Sequence, residues 1–157
     1  MTRKLDKLLK ICTVSGIHIE RAKLPANLKA ILYSDNDTDP IITLNESIAT
    51  CDDAACTLAE ELGHYYTSHG NLLIGNLHKS IINKQETIAK RWAFTLSDLI
   101  DAHKAGCATL HEVAEHLEIT EEFLRDAAKV YASMYGTYIV HQGYRVYFEP
   151  LWVEKLI

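Results

Sequence analysis

Three side chains able to bind a metal ion or to transfer a proton lie within about one turn of a predicted helix. Residues 58–66 read Leu-Ala-Glu-Glu-Leu-Gly-His-Tyr-Tyr, which places Glu60, Glu61 and His64 at positions i, i+1 and i+4. Residues four apart are separated by about 6 Å along a helix and by roughly 40° around it, so Glu60 and His64 can reach one ion. Since carboxylate and imidazole both bind zinc, the spacing predicts a metal site with Glu61 beside it.

A third ligand must come from another segment, and Glu86 is the candidate. Ala89 and Ala93 follow it at i+3 and i+7, and a stripe of small residues would let another helix approach closely. The alternative is a surface pair between Glu86 and Lys90, because i,i+4 pairs of opposite charge are common on solvated helices. Both interpretations of Glu86 stay open at this point.

The spacing of Glu60, Glu61 and His64 resembles that of the H-E-x-x-H helix of zinc peptidases, whose glutamate activates a water molecule. Glu61 and His64 match the base and the second ligand, whereas Glu60 stands where that helix has its first histidine. With Glu86 as the third ligand, two carboxylates would cancel the formal charge of the zinc ion. We therefore expect water at this site to be less acidic than at a site with two histidine ligands.

Local patterns predict that a small sheet precedes the motif helix. Leucines recur at helical spacing over residues 2–12 and predict a first helix. The motif helix is predicted over residues 46–68, with Asn45 as its N-cap. Between the two helices lie three short runs of β-forming residues bounded by turn residues: 17–21, 29–33 and 41–44.

The whole chain is predicted to be one domain, since 157 residues suit a single domain of ordinary size. A second helix over residues 80–94 would carry Glu86, and Thr109 with Glu112 has the spacing of a capping box. Residues 137–148 contain two β-forming runs around a Gln-Gly pair, which predicts a hairpin. The predicted fold class is α+β and mainly helical, with an N-terminal α/β part over 1–70, a helical part over 71–136, and a C-terminal hairpin and tail over 137–157.

Composition and net charge argue against two classes of partner, nucleic acids and membranes. Asp and Glu number 21 against 16 for Lys and Arg, so the formal net charge is −5 at pH 7. Proteins that bind nucleic acid gain much of their affinity by neutralising phosphates, and this balance argues against that class. No apolar run approaches the roughly 20 residues that cross a bilayer, and the first residues do not look like a secretion signal. We therefore expect a cytoplasmic protein with free thiols and with neither a membrane nor a nucleic-acid partner.

A second motif lies in residues 110–127, which have the apolar pattern of a helix-turn-helix with its turn at 118–120. In DNA-binding proteins of that class, the first turn of the second helix contacts bases. Here that turn carries Glu121 and Glu122, which phosphates would repel. The segment is therefore predicted to be a packing unit or a docking surface for a protein partner.

Residues 58–67, together with a later charged segment that contains Arg-Trp-Ala at 91–93, resemble the ImmA/IrrE family of metallopeptidases. The resemblance is strongest to the branch carried by phages and integrative elements of Gram-positive bacteria, and it covers residues 5–135. The order of parts agrees as well, with a short helix, a small sheet, the motif helix, a helix for the third ligand and a helical C-terminal region. The resemblance implies a zincin-like fold in which the sheet packs over the motif helix.

The resemblance also implies a function and residue roles. Glu61 would be the general base, and His64 and Glu86 would be zinc ligands, while Glu60 departs from the family's usual histidine. The chain would be a zinc-dependent endopeptidase, and its substrate would be a helix-turn-helix repressor of a phage or mobile element. The alternative is a non-catalytic binding protein, an anti-repressor that keeps the peptidase fold and inactivates the repressor by docking.

Overall fold

The computed structural model describes residues 2–35, 37–67 and 94–157. These residues form two compact units, one within residues 2–67 and one within residues 94–157. The first unit contains α1 (Arg3–Val14), β1 (His18–Ala22), β2 (Ala30–Tyr33), β3 (Ile41–Asn45) and α2 (Cys51–Thr67). The second unit contains α3 (Leu96–Lys104), α4 (Leu110–Leu117), α5 (Glu121–Tyr135), β4 (Tyr138–His141), β5 (Tyr144–Phe148) and β6 (Leu151–Lys155).

Each unit combines helices with a three-stranded sheet, which confirms the predicted α+β class. The zincin-like arrangement and the single-domain organisation stay predictions. No helix within the described ranges has both the length and the apolar character needed to cross a membrane.

The sheet of the first unit is built around β3. Its neighbours are β1, which runs parallel to it, and β2, which runs antiparallel. Ile42 and Leu44 are two residues apart, so both point to the same face of the sheet, and both are buried. Helix α1 contacts β1, while α2 contacts β2, β3 and α1. Of the predicted apolar stripe of α1, Leu5, Leu8 and Cys12 are buried, whereas Leu9 is half-buried.

The motif helix is α2, which begins at Cys51 and not at Glu46, so its predicted start was wrong. Thr50 caps it, because its hydroxyl oxygen accepts a hydrogen bond of 3.1 Å from the backbone N–H of Asp53. Asn45, the predicted cap, is buried at the end of β3. Its side-chain amide donates hydrogen bonds to carbonyls in the loop before β2, those of Leu24, Pro25 and Leu28. Asn45 thus holds the loop of its own sheet, a role that local sequence did not indicate.

Threonine side chains cap all three helices of the second unit. Thr95 pairs with Asp98 at α3 and Thr109 pairs with Glu112 at α4, each pair forming a capping box. Thr120 accepts a hydrogen bond from the first turn of α5. These caps satisfy backbone N–H groups that have no partner within the helix. The predicted box at Thr109 is therefore confirmed.

The core of the second unit joins α5 to the sheet. The ring of Tyr131 stacks on that of Phe148 with 5.5 Å between centroids. The buried hydroxyl of Tyr131 donates a hydrogen bond of 3.1 Å to the carbonyl of Phe94. Apolar side chains from α3, α5 and β5 complete the core: Leu99, Ile100, Leu124 and Val146.

The C-terminal region is a three-stranded antiparallel sheet in the order β4-β5-β6, so the predicted hairpin is confirmed and the residues predicted as a tail form a third strand. The hairpin itself is present and turns at Gln142 and Gly143. Their φ angles of 49° and 78° are both positive, as in the tight turns that match strand twist. The third strand was missed because it directly follows Pro150, which locally indicates a break.

Candidate functional site

Glu60, Glu61 and His64, called the α2 cluster from here on, lie where α2 leaves the core of the first unit. Every residue from 54 to 59 is buried, and Leu62 is buried as well, whereas the three cluster residues are half-buried. Several residues of this stretch are alanines, which allow α1 and the sheet to approach α2 closely. The fold thus brings two carboxylates and an imidazole to the boundary between core and solvent.

Burial, and after it the negative charge of Glu60, raises the pKa of the Glu61 carboxyl from 4.5 to about 7. A carboxylate at a partly apolar site loses hydration, and a like charge nearby makes its ionisation still more costly. Glu61 is therefore protonated at mildly acidic pH and exchanges its proton near neutral pH. A general base is most effective in that range.

The donors of the α2 cluster fit a zinc ion in type and in charge. Glu60 offers a carboxylate and His64 offers an imidazole, whose Nδ1 atom is buried. The two adjacent carboxylates concentrate negative charge that a cation would offset. Two donors on one helix do not complete a zinc site, which needs at least three protein ligands.

The third ligand predicted from the sequence, Glu86, lies outside the residues that the structure describes. Nearly all of the helix predicted around it lies outside them as well. Within the described ranges, no three side chains of His, Cys, Asp or Glu are grouped so that they could hold a metal ion. The ligand roles of Glu60, His64 and Glu86 therefore stay predictions.

The helix-turn-helix-like segment has the predicted order of elements. Helix α4 ends at Leu117, and Glu118 follows it in the left-handed conformation with a φ of 56°. Thr120 then caps α5, whose first turn carries Glu121 and Glu122. The cations of this helix contact its own acids, since Lys129 lies 3.0 Å from Asp126. The first turn of α5 itself carries two acidic side chains and no basic one.

His111, Glu115 and Glu121 form a second group of histidine and glutamates, called the α4–α5 cluster from here on. The Nδ1 atom of His111 lies 2.8 Å from a carboxylate oxygen of Glu121, and its Nε2 atom lies 3.4 Å from one of Glu115. Arg125 also approaches Glu121, at 3.8 Å. These side chains are 41–69% exposed. The contacts are those of a solvated ion-pair network.

Sequence reasoning missed a groove in the first unit, called the α1 groove from here on. The hydroxyls of Ser15, just after α1, and Tyr66, near the end of α2, are hydrogen-bonded to each other. The groove beside them has a volume of about 610 Å³ and is lined by Arg3, Asp6, Lys7, Lys10, Ile11, Val14, Ser15 and Tyr66. Its two sides are 51 residues apart in the sequence, so local patterns gave no signal beyond the lysines of α1.

This chain was compared with protein-family models, with curated proteins and with solved structures. None of the three comparisons found a match.

Proposed function

We propose that this protein is a zinc-dependent endopeptidase and that α2 is its catalytic helix. The observation that carries the proposal is the placement of the α2 cluster. Glu60, Glu61 and His64 follow directly on a fully buried stretch of helix, residues 54–59. Their spacing is that of two metal ligands and a base. An ordinary surface pair of glutamates would stand on a solvated helix face, away from the core.

In this proposal Glu60, His64 and Glu86 hold the metal. Zinc, when bound, supplies Lewis acidity toward water and toward the peptide carbonyl. Glu61 accepts a proton at its carboxylate from the attacking water molecule and then donates that proton to the leaving amine. Glu61 lies near enough to Glu60 for the charge of Glu60 to raise its pKa, which places the proposed base beside a proposed ligand.

The proposed substrate is a transcriptional repressor of the helix-turn-helix class that belongs to a phage or mobile element, and the proposed compartment is the cytoplasm. The resemblance of residues 58–67 and 91–93 to the ImmA/IrrE family supports this choice. Cleavage would inactivate the repressor, and the genes that it silences would then be expressed. The experiment incubates the chain with such repressors from the same genome, with zinc and with a chelator, and identifies fragments by mass spectrometry. We expect zinc-dependent cleavage at a defined bond.

A non-catalytic anti-repressor is the second candidate, because a carboxylate at position 60 replaces the first histidine of the usual motif. The Glu60→His variant separates the two functions, since it recreates the two-histidine helix. If the wild type and this variant both leave the repressor uncut while both release it from DNA, the protein acts by docking. Zinc-dependent cleavage by the wild type excludes docking as the whole mechanism, whereas cleavage by the variant alone would show that residue 60 had removed the activity.

A further inference from the structure

The α1 groove carries a charge opposite to that of the whole chain. Helix α1 contains four basic residues and one acidic residue, which gives it a net charge of +3, whereas the chain has −5. Arg3, Lys7 and Lys10 stand at i, i+4 and i+7, and all three line the groove and are exposed. Residues at this spacing share one helix face. The groove is therefore a local basic surface on an acidic protein.

One end of the groove is apolar. Val14 is 88% exposed, and Tyr66 is 40% exposed with its hydroxyl held by Ser15. Ile11 lies between this end and the cations. An exposed aliphatic side chain next to a fixed aromatic ring offers a contact for an apolar residue of a partner.

We propose that the α1 groove binds an acidic segment of a partner protein, in which glutamate or aspartate residues are followed by a large apolar residue. The row from Arg3 to Lys10 is about 10 Å long, the length of roughly three extended residues. A volume of about 610 Å³ accommodates several peptide side chains. The acidic side chains face the cations, and the apolar residue contacts Val14 and Tyr66.

Two other classes of ligand fit the groove less well. Asp6 also lines it, between Arg3 and Lys7 in the sequence, so a continuous polyanion such as nucleic acid meets a repelling carboxylate. A peptide can place a neutral residue there. A membrane surface would require the apolar stripe of α1, which is buried in the core of the unit. An acidic peptide uses only the side chains that α1 exposes.

Binding in the α1 groove needs neither Glu61 nor a metal, so this inference is independent of the proposed peptidase function. The experiment titrates the full chain into a fluorescein-labelled peptide, Glu-Ser-Glu-Glu-Leu-Phe, and follows fluorescence anisotropy at low and high salt. We expect saturable binding that salt weakens. Lys7→Glu and Lys10→Glu should each lower the affinity about fivefold, whereas Lys23→Glu, an exposed position outside the groove, should change it less than about twofold.

The variants keep the fold because Lys7, Lys10 and Lys23 are exposed, and circular dichroism verifies this. Equal affinities of the three variants, or no binding by the wild type, would overturn the proposal. Tighter binding of oligothymidylate or of phosphatidylserine vesicles, with the same dependence on Lys7 and Lys10, would overturn it in favour of nucleic acid or membrane. Self-association that Lys10→Glu abolishes would instead assign the groove to a second copy of the chain.

Discussion

Glutamates and a histidine come together on helices in both units of this protein, and their surroundings differ. In the α2 cluster, Glu60, Glu61 and His64 are half-buried at the end of a buried helical stretch. In the α4–α5 cluster, His111, Glu115 and Glu121 are 41–69% exposed, and Arg125 lies 3.8 Å from Glu121. The residue types are the same in the two clusters.

The difference shows what burial adds to a sequence pattern. Burial and Glu60 raise the pKa of Glu61 to about 7, which makes it a proton acceptor suited to neutral pH. In the α4–α5 cluster, water screens the charges, and each carboxylate has a cationic or imidazole neighbour. We therefore propose a catalytic role for the α2 cluster and only local stabilisation for the α4–α5 cluster.

The largest expected effect is on cleavage. Glu61→Gln removes the proton acceptor but no predicted ligand, so it should lower the cleavage rate by roughly 10²- to 10⁴-fold while zinc stays bound. Glu121→Gln makes the same chemical change in the α4–α5 cluster and should leave the rate unchanged. Rates are measured on the repressor substrate. Equal activity of the Glu61→Gln variant and the wild type would remove Glu61 from the mechanism.

The pH dependence of stability tests the burial of Glu61 in the metal-free protein. Its pKa is about 7 in the folded state, against an ordinary value of 4.5 for the unfolded chain, so the folded state binds the proton more tightly. This contribution is fully present below about pH 4.5 and is lost as the pH rises through 7. We expect the free energy of unfolding to fall by roughly 2–3 kcal/mol from this group between pH 5 and 8.

Urea denaturation at several pH values measures this dependence. Glu61→Gln should flatten the profile over that range, because glutamine does not titrate. Glu121→Gln should keep the wild-type slope. A wild-type profile that matches that of Glu61→Gln would show that burial does not perturb this carboxyl.

The Glu60→His variant replaces a carboxylate of the α2 cluster with a second imidazole. If Glu60 is a ligand, the site then carries more positive charge, and its water should be more acidic. We expect zinc affinity to rise about tenfold and the pH profile of cleavage to shift to lower pH. Glu60→Ala should weaken both. Calorimetric titration that finds the same zinc affinity in all three proteins would show that Glu60 is not a ligand.

The smallest effect is expected in the α4–α5 cluster. Glu121→Gln removes exposed ion pairs with His111 and Arg125 and a negative charge at the start of α5. Such pairs and such helix-terminal charges each contribute less than about 1 kcal/mol. Denaturation at low and high salt should show a loss of that size that shrinks as salt rises. A loss of several kcal/mol would indicate that this cluster has a role beyond surface stabilisation.

Much of the fold could be predicted because its signals are local. The capping box of Thr109 and Glu112 and the turn at Gln142 and Gly143 each lie within a few residues of chain. The prediction that Asn45 caps the motif helix was wrong, because its side chain donates hydrogen bonds to a loop about 20 residues earlier in the sequence. Local patterns carry no information about such partners.

In the candidate site, too, local features could be predicted from the sequence and features that depend on the fold could not. The spacing of Glu60, Glu61 and His64 could be predicted, since it depends only on helix geometry. The raised pKa of Glu61 could not, because its main cause is the burial of that carboxyl in the folded chain. The α1 groove was missed for the same reason, as Tyr66 and Ser15 meet only in the folded unit.

Zinc binding by two matched histidine variants decides whether α2 carries a metal site. Isothermal titration of the wild type should give about one zinc ion per chain. His64→Ala should abolish that binding, whereas His111→Ala, which removes a histidine that also contacts two carboxylates, should leave it unchanged. Full zinc stoichiometry in His64→Ala, or no zinc bound by the wild type, would contradict the claim that α2 carries a metal-dependent peptidase site.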